Sequence, residues 1–186
     1  MTSPPTNPAA EAGSPSADAE RLEELFARCQ DELLGMLYYF LGSAEDARDA
    51  LQESFIKCWR RRDLLGGIEN LRAWVFQVTL NTGRDMRSSA WRRHRRTLNQ
   101  PEAEVIAQPT NNDADRCREE QLAAVRTALK QLRSEEQEIF LLRQNGELTY
   151  EEIARSLMLP VGTVKTRMRL AIGKLREAFE VQGLRS

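Results

Sequence analysis

The sequence predicts an all-α protein: two small helical domains joined by a flexible acidic linker, the C-terminal one containing a helix-turn-helix. Three observations predict it. Aromatic residues make up 6% of the 186 residues and charged residues 30%, a balance that suits narrow helical stripes better than a broad β core. Apolar residues recur at spacings of three and four through most of the chain, and no sustained alternation marks a strand. The stretch 97–115 breaks that period with Pro101, Pro109, Asn111 and Asn112, and it carries Glu102, Glu104, Asp113 and Asp115 without a basic residue. It therefore reads as a linker.

Taken in order, residues 1–18 hold Pro4, Pro5, Pro8 and Pro15 among Ala and Ser. Too few apolar side chains are present to offset the entropy of ordering them, so a disordered tail is expected. From Ala19 to 96 the first domain is expected. Leu22, Leu25, Phe26, Cys29, Leu33, Met36, Leu37 and Phe40 keep one helical face apolar until Gly42, a natural terminator. Ser43-Ala44-Glu45-Asp46 has the form of an N-cap, and Ala47, Leu51, Ser54, Phe55 and Cys58 continue as a stripe to Trp59. The short connection predicts antiparallel neighbours. Gly66-Gly67 predicts a loop, after which Asn70 caps a third helix with Leu71, Trp74, Val75, Val78 and Thr82 inward. Gln77, Asn81, Arg84 and Ser88 form a polar stripe on that helix. Such a stripe suits hydrogen bonds to bases and phosphates, although most surface helices have one.

The second domain is expected over 116–182. Leu122, Val125, Leu129 and Leu132 mark its first helix, and Ser134-Glu135-Glu136-Gln137 is predicted to cap the next, which buries Phe140 and Leu141 and ends at Asn145-Gly146. Thr149-Tyr150-Glu151-Glu152 has the reciprocal pattern of a capping box. The short helix it opens buries Ile153, Ala154 and Leu157 and stops at Leu159-Pro160. A new period starts at Val161, with Val164, Met168, Ala171, Leu175 and Phe179 on one face and Lys165, Thr166, Arg169 and Lys174 elsewhere. Two helices across a tight turn, the second cationic, form a helix-turn-helix able to enter a DNA major groove.

Composition excludes other classes. The longest apolar run, Leu33 to Leu41, is too short to span a bilayer. No secretory signal pattern begins the chain, so a reducing cytoplasm and no membrane insertion are expected. Cys29, Cys58 and Cys117 stand far apart, which suggests neither zinc site nor disulfide framework, and Cys29 lies on an apolar stripe as a small hydrophobe. His94 is the sole histidine, and no phosphate-binding glycine loop or nucleophile elbow occurs. No enzyme activity, cofactor or small-molecule substrate is expected. Net charge is -1, yet its distribution is uneven. Lys165, Arg167, Arg169, Lys174 and Arg176 fall in a run without an acid, and Arg84, Arg87, Arg92, Arg93, Arg95 and Arg96 are opposed only by Asp85. An ordinary solvated helical face would mix signs; two cationic blocks point to nucleic acid.

The run Pro160-Val161-Gly162-Thr163-Val164-Lys165-Thr166-Arg167 closely resembles the DNA-reading turn and helix of the fourth-domain module of bacterial sigma factors. Ala44-Glu45-Asp46-Ala47, then Asp49, Gln52-Glu53, Phe55 and Trp59, then Leu71, Trp74, Asn81, Asp85 and the arginines, resembles the second-domain module of the extracytoplasmic-function type. Their order and the short linker also fit that group, and the resemblance covers Ala19 to Phe179. It implies a dissociable subunit that binds core RNA polymerase, directs it to promoters and assists melting, with an anti-sigma factor as the family's usual regulator. Carried over residue by residue, it implies polymerase contact through Asp46, Asp49, Gln52 and Glu53. Gln77, Asn81, Arg84, Arg87, Arg92 and Arg93 would meet the minus-ten element, near a base pocket formed by the loop from Asp63 to Asn70. Gly162, Thr163, Lys165, Thr166, Arg167, Arg169 and Lys174 would meet the minus-thirty-five element. The chain departs from the family at Met158, where glycine is usual, at Leu170 and Ile172, where basic residues often continue, and in the more apolar loop Leu64-Leu65-Gly66-Gly67-Ile68. The rival reading, a one-component repressor or activator, needs a dimer interface for paired half-sites, and no zipper heptad is present.

Overall fold

The structure, a computed structural model, describes the backbone of residues 15–96 and 113–181 and the side chains of 17–89 and 122–180. Seven α-helices and one 3-10 turn make up these residues, with no strand among them: α1 Pro15–Leu41, α2 Ala44–Trp59, the turn Arg62–Gly67, α3 Leu71–Arg96, α4 Asp113–Lys130, α5 Ser134–Gln144, α6 Tyr150–Leu157 and α7 Val161–Val181. The linker residues 97–112 and the tail 1–14, with their expected disorder, lie outside the described residues.

Local chemistry explains most ends. Ser43 Oγ accepts from the Asp46 N–H and Asn70 Oδ1 from the Ala73 N–H, so α2 and α3 start at the predicted caps. Gly42 takes φ 81° and closes α1 through its N–H to the Tyr38 carbonyl. Three boundaries differ from the sequence reading. α1 begins at Pro15 rather than Ala19, because proline suits a first helical turn and Asp18 stands there against the N-terminal dipole. α4 begins at Asp113, inside the expected linker. At α5 the cap position is Arg133, not Ser134, and Glu136 reaches back to accept from the Arg133 N–H at 3.0 Å. The expected loop after α2 is also a correction: it winds into the 3-10 turn, held because Leu65 is buried at 1% exposure while Leu64 points out at 65%.

α1, α2 and α3 pack around Leu22, Leu33, Met36, Phe76 and Leu80, and Phe26 meets Phe55 edge-on at 5.1 Å between ring centres. α3 passes α1 closely at Gly83, where a Cβ would stand 3.0 Å from Leu37 and 3.2 Å from Phe40. α5, α6 and α7 surround Ile139, Leu142, Ile153, Val164 and Met168. These two groups of side chains belong to one continuous core rather than two. α3 explains the continuity: Ala73, Phe76, Thr79 and Leu80 are buried beside Val75, Val78 and Thr82 of the predicted inward stripe, whose Leu71 and Trp74 are half-buried. A helix covered on one side shows one apolar stripe, whereas α3 is packed against α1 and α2 on one side and α6 on the other.

Candidate nucleic-acid interface

The helix-turn-helix forms from short-range chemistry. Thr149 Oγ1 accepts from the Glu152 N–H at 3.2 Å, and the Glu152 carboxylate accepts from the Thr149 N–H at 2.7 Å. The Thr149 N–H and the Thr149 hydroxyl, which donates to the same carboxylate at 2.8 Å, hold the Glu152 carboxyl below the usual carboxylate range, the N–H contributing most. α6 ends on Met158, whose backbone is left-handed at φ 53° and whose side chain is 89% exposed. Thr163 and Val164 N–H groups then bond to the Pro160 carbonyl and start α7. Val164, Met168 and Ala171 root α7 in the core. Gly162, Lys165, Thr166 and Arg169 are consequently exposed on one side of its opening turns, while Thr163 and Arg167 are half-buried at its edge.

Lys174 is placed differently from the sequence expectation. Its Nζ sits 2.6 Å from Glu136 Oε2, the oxygen that also accepts from Arg133. Burial alone would raise the Glu136 carboxyl, but Lys174 and the Arg133 N–H together hold it below the usual range. Lys174 thus stitches α7 to α5 instead of standing free for a phosphate.

The polar stripe of α3 is occupied. Arg84 makes a two-pronged contact with Glu138, Nε to Oε1 at 2.9 Å and a terminal nitrogen to Oε2 at 2.7 Å, and a third bond at 3.0 Å to Asn81. The hydrogen bond to Glu138 raises the Arg84 guanidinium further above its ordinary value. Arg87 lies over the Phe40 ring at 4.0 Å and donates to Ser134 Oγ at 2.7 Å and to Gln137 Oε1 at 3.3 Å. Gln77 donates to the Ser156 carbonyl, and Asn70 donates to Glu152 at 2.6 Å. Glu69, Asn70, Trp74 and Gln77 line a shallow groove of about 240 Å³ whose other wall is Glu152, Arg155 and Ser156 of α6. Arg92 and Arg93 continue α3, but their side chains lie outside the described residues.

On α2, Asp46, Asp49, Gln52 and Glu53 are exposed together on the face opposite Ala47, Ala50 and Ser54. None of the four makes an ion pair among the described residues. Lys57 instead ties α2 to α3, at 3.3 Å from Thr82 Oγ1 and 3.5 Å from Asp85.

Several interacting residues escaped the sequence reading. Glu136, Gln137 and Glu138 are 3%, 5% and 6% exposed, although the polar run Glu135-Glu136-Gln137-Glu138 carries no apolar signal of burial. Arg72 also escaped: it donates to the Gly146 carbonyl at 2.9 Å and to Cys29 Sγ at 2.7 Å. Cys58 is fully buried, and burial pushes its thiol up to about 12. Among the described residues no group of His, Cys, Asp and Glu is placed to hold a metal ion, and no helix is long and apolar enough to cross a membrane.

Comparison with known proteins gives the same two parts in the same order. The family model described as Sigma-70 region 2 matches residues 25–97, and that described as Sigma-70, region 4 matches residues 122–175. The RNA polymerase sigma-H factor of Pseudomonas aeruginosa is 27% identical over 88% of this chain and 86% of its own length. The RNA polymerase sigma-E factor of Streptomyces avermitilis is 29% identical over 87% of each. Among solved structures, CnrH bound to the cytosolic domain of CnrY superposes with a TM-score of 0.67 at 23% identity, over 90% of this chain and 95% of that one. RpoE of Bartonella quintana, bound to the anti-sigma factor NepR, gives 0.68 at 22% identity over 87% and 98%. These two structures share the fold.

Proposed function

The chain belongs to the sigma-70 family, as a sigma factor of the extracytoplasmic-function type, and from that premise we propose how its surfaces divide the work. As a sigma factor it binds core RNA polymerase, directs it to specific promoters and assists promoter melting. The assignment of residues to those tasks is our reading. Residues 19–96 form the polymerase and minus-ten domain, 97–115 the linker and 116–182 the minus-thirty-five domain. Asp46, Asp49, Gln52 and Glu53 engage the polymerase, supported by their shared exposure on α2. Gln77, Asn81, Arg84 and Arg87 engage the minus-ten strand once their present partners are released, together with Arg92 and Arg93 further along α3. Capturing an unstacked base there costs a few kcal/mol, which binding must recover. Gly162, Thr163, Lys165, Thr166, Arg167 and Arg169 engage the minus-thirty-five duplex.

The single observation that carries the reading is the opening of α7, where exposed Lys165, Thr166 and Arg169 alternate with the buried anchors Val164 and Met168. Base-reading side chains need a rigid support of that kind. The role is non-catalytic and cytoplasmic: nucleotide addition belongs to the polymerase. A regulatory anti-sigma partner is proposed by analogy with the partners named in the two solved complexes. Run-off transcription with core polymerase and a genomic promoter library tests all of this. Transcripts starting at a defined set of sites are expected only when the chain is added. A dimer that binds paired half-sites without polymerase favours the repressor instead.

A further inference from the structure

We propose that Leu170 reads a thymine of the minus-thirty-five duplex through the C5 methyl of that base, from within the cationic face of α7. The proposal rests on the assignment of the opening of α7 to that duplex. Leu170 is 46% exposed, although Met168 and Ala171 on either side of it are 3% and 0% exposed. Helical spacing sets it one turn beyond Thr166, about 6 Å further along the axis and on the same exposed side. A singly exposed leucine is ordinary on a protein surface. This one stands among residues whose charge draws in DNA. Lys165, Arg169 and Arg176 are exposed around it, and none of the three forms an ion pair among the described residues.

Chemistry narrows what such a residue can read. A leucine side chain has no donor or acceptor, so it selects neither a phosphate nor a polar base edge. In the major groove thymine alone presents an apolar group, its C5 methyl, and contact with an apolar side chain removes both from water. The surroundings leave room for that contact. Gly173 continues the same face one turn beyond Leu170, and a Cβ there would meet nothing within 4 Å, so no neighbour in the chain demands glycine at this mid-helix position. The far flank of Leu170 is therefore bare, while the Thr166 methyl offers an apolar neighbour on the near flank. Base pairs stack about 3.4 Å apart, so a side chain about 6 Å beyond Thr166 reaches a base pair one or two steps from the one that Thr166 faces. Leu170 thereby adds a sequence preference that the cationic residues of the face do not supply.

The test uses the full chain bound to core polymerase. A selection on randomised minus-thirty-five sites should return at least one position at which thymine is preferred. Replacing that thymine by deoxyuridine removes the methyl and leaves base pairing and every hydrogen-bonding group unchanged. The wild-type complex should bind the uracil duplex about fourfold more weakly, the loss expected for one buried methyl group. Leu170→Ala should make no distinction between thymine and uracil at that position. Leu170→Met keeps an apolar side chain of similar volume and should retain the distinction. A selection without a preferred thymine, or a wild-type complex indifferent to uracil at every thymine, overturns the methyl contact. A penalty that survives intact in Leu170→Ala, or vanishes in Leu170→Met, overturns Leu170 as its reader. If the selection returns no preferred sequence and Lys165→Ala leaves duplex binding unchanged, the assignment of α7 to the duplex has failed and the proposal falls with it. Indifference to uracil while Lys165→Ala still weakens binding overturns the proposal alone.

Discussion

Met158 holds a left-handed backbone at φ 53° with a side chain 89% exposed. A side chain there strains the backbone by about 1–2 kcal/mol, and glycine relieves it at an entropic cost of about 0.5–1 kcal/mol. Since the thioether packs on almost nothing, Met158→Gly should stabilise the chain by about 0.5–1 kcal/mol, raising the urea midpoint without changing the slope. A lowered midpoint would mean that Met158 makes contacts its exposure does not show. Glu152 offers a second residue-scale test. Its folded carboxyl lies below the ordinary value, so it contributes stability above the unfolded value near pH 4.5 that is lost as pH falls through the folded one. Glu136 acts in the same direction. Glu152→Gln keeps a capping side chain without the titration, and its urea midpoint should fall less steeply than wild type between about pH 6 and about pH 3. Parallel profiles would place the acid sensitivity elsewhere. Residues of this kind divide cleanly by range. The caps at Ser43, Asn70 and Thr149 are legible in the sequence because donor and acceptor stand three residues apart. Glu138 is not, because its partner is 54 residues away and nothing local distinguishes a buried acid from a solvated one.

Helices repeat that division at the next scale. All seven were legible from apolar period and cap chemistry, and two of the three misplaced ends have local causes: a proline tolerated in the first turn of α1, and a carboxylate reaching back to Arg133 at α5. α3 was read as half-buried because one stripe predicts one neighbour, and its second covered side, with Asn70, Ala73 and Gln77, depends on a helix about 80 residues further on. α2 supplies a functional test. Replacing Asp49, Gln52 and Glu53 together with Ala removes exposed groups only, so circular dichroism should be unchanged while affinity for core polymerase falls by about tenfold or more, as for loss of a few charged interface contacts. Undiminished binding would move the polymerase contact off this face. α7 supplies another, now divided differently from the sequence expectation. Lys165→Ala or Arg169→Ala should cost about 1–3 kcal/mol in binding and relax preference at one minus-thirty-five position in a selection on randomised sites. Lys174→Ala should act chiefly on folding, by about 1–3 kcal/mol, because it strips a charge-assisted bond from the buried Glu136. Identical sequence preferences in wild type and both reading variants would favour recognition by DNA shape.

For the whole molecule, the continuity of the core decides how it unfolds. Leu22 in α1 and Ala178 in α7 belong to one buried cluster, joined through α3 and the seam of Arg84–Glu138, Asn70–Glu152 and Arg72–Gly146. Units that share buried contacts melt together, whereas units joined only by a tether melt at their own temperatures. Wild type should therefore give one calorimetric transition whose calorimetric and van't Hoff enthalpies agree. The double variant Glu138→Gln, Ser156→Glu uncouples α5 and α6 from α3 without touching the helices' own caps, and it should resolve two transitions. The half with α5, α6 and α7 should melt first, since it is the smaller unit and buries less apolar surface per residue once α3 is withdrawn. Raised salt should separate the wild-type transition partway toward the same pattern, because part of the seam is ionic and half-exposed. A single, superposable transition in wild type and double variant would mean that the apolar contacts around Phe76 alone couple the halves. Two transitions already present in wild type would mean that the halves are thermally independent even where their side chains interlock.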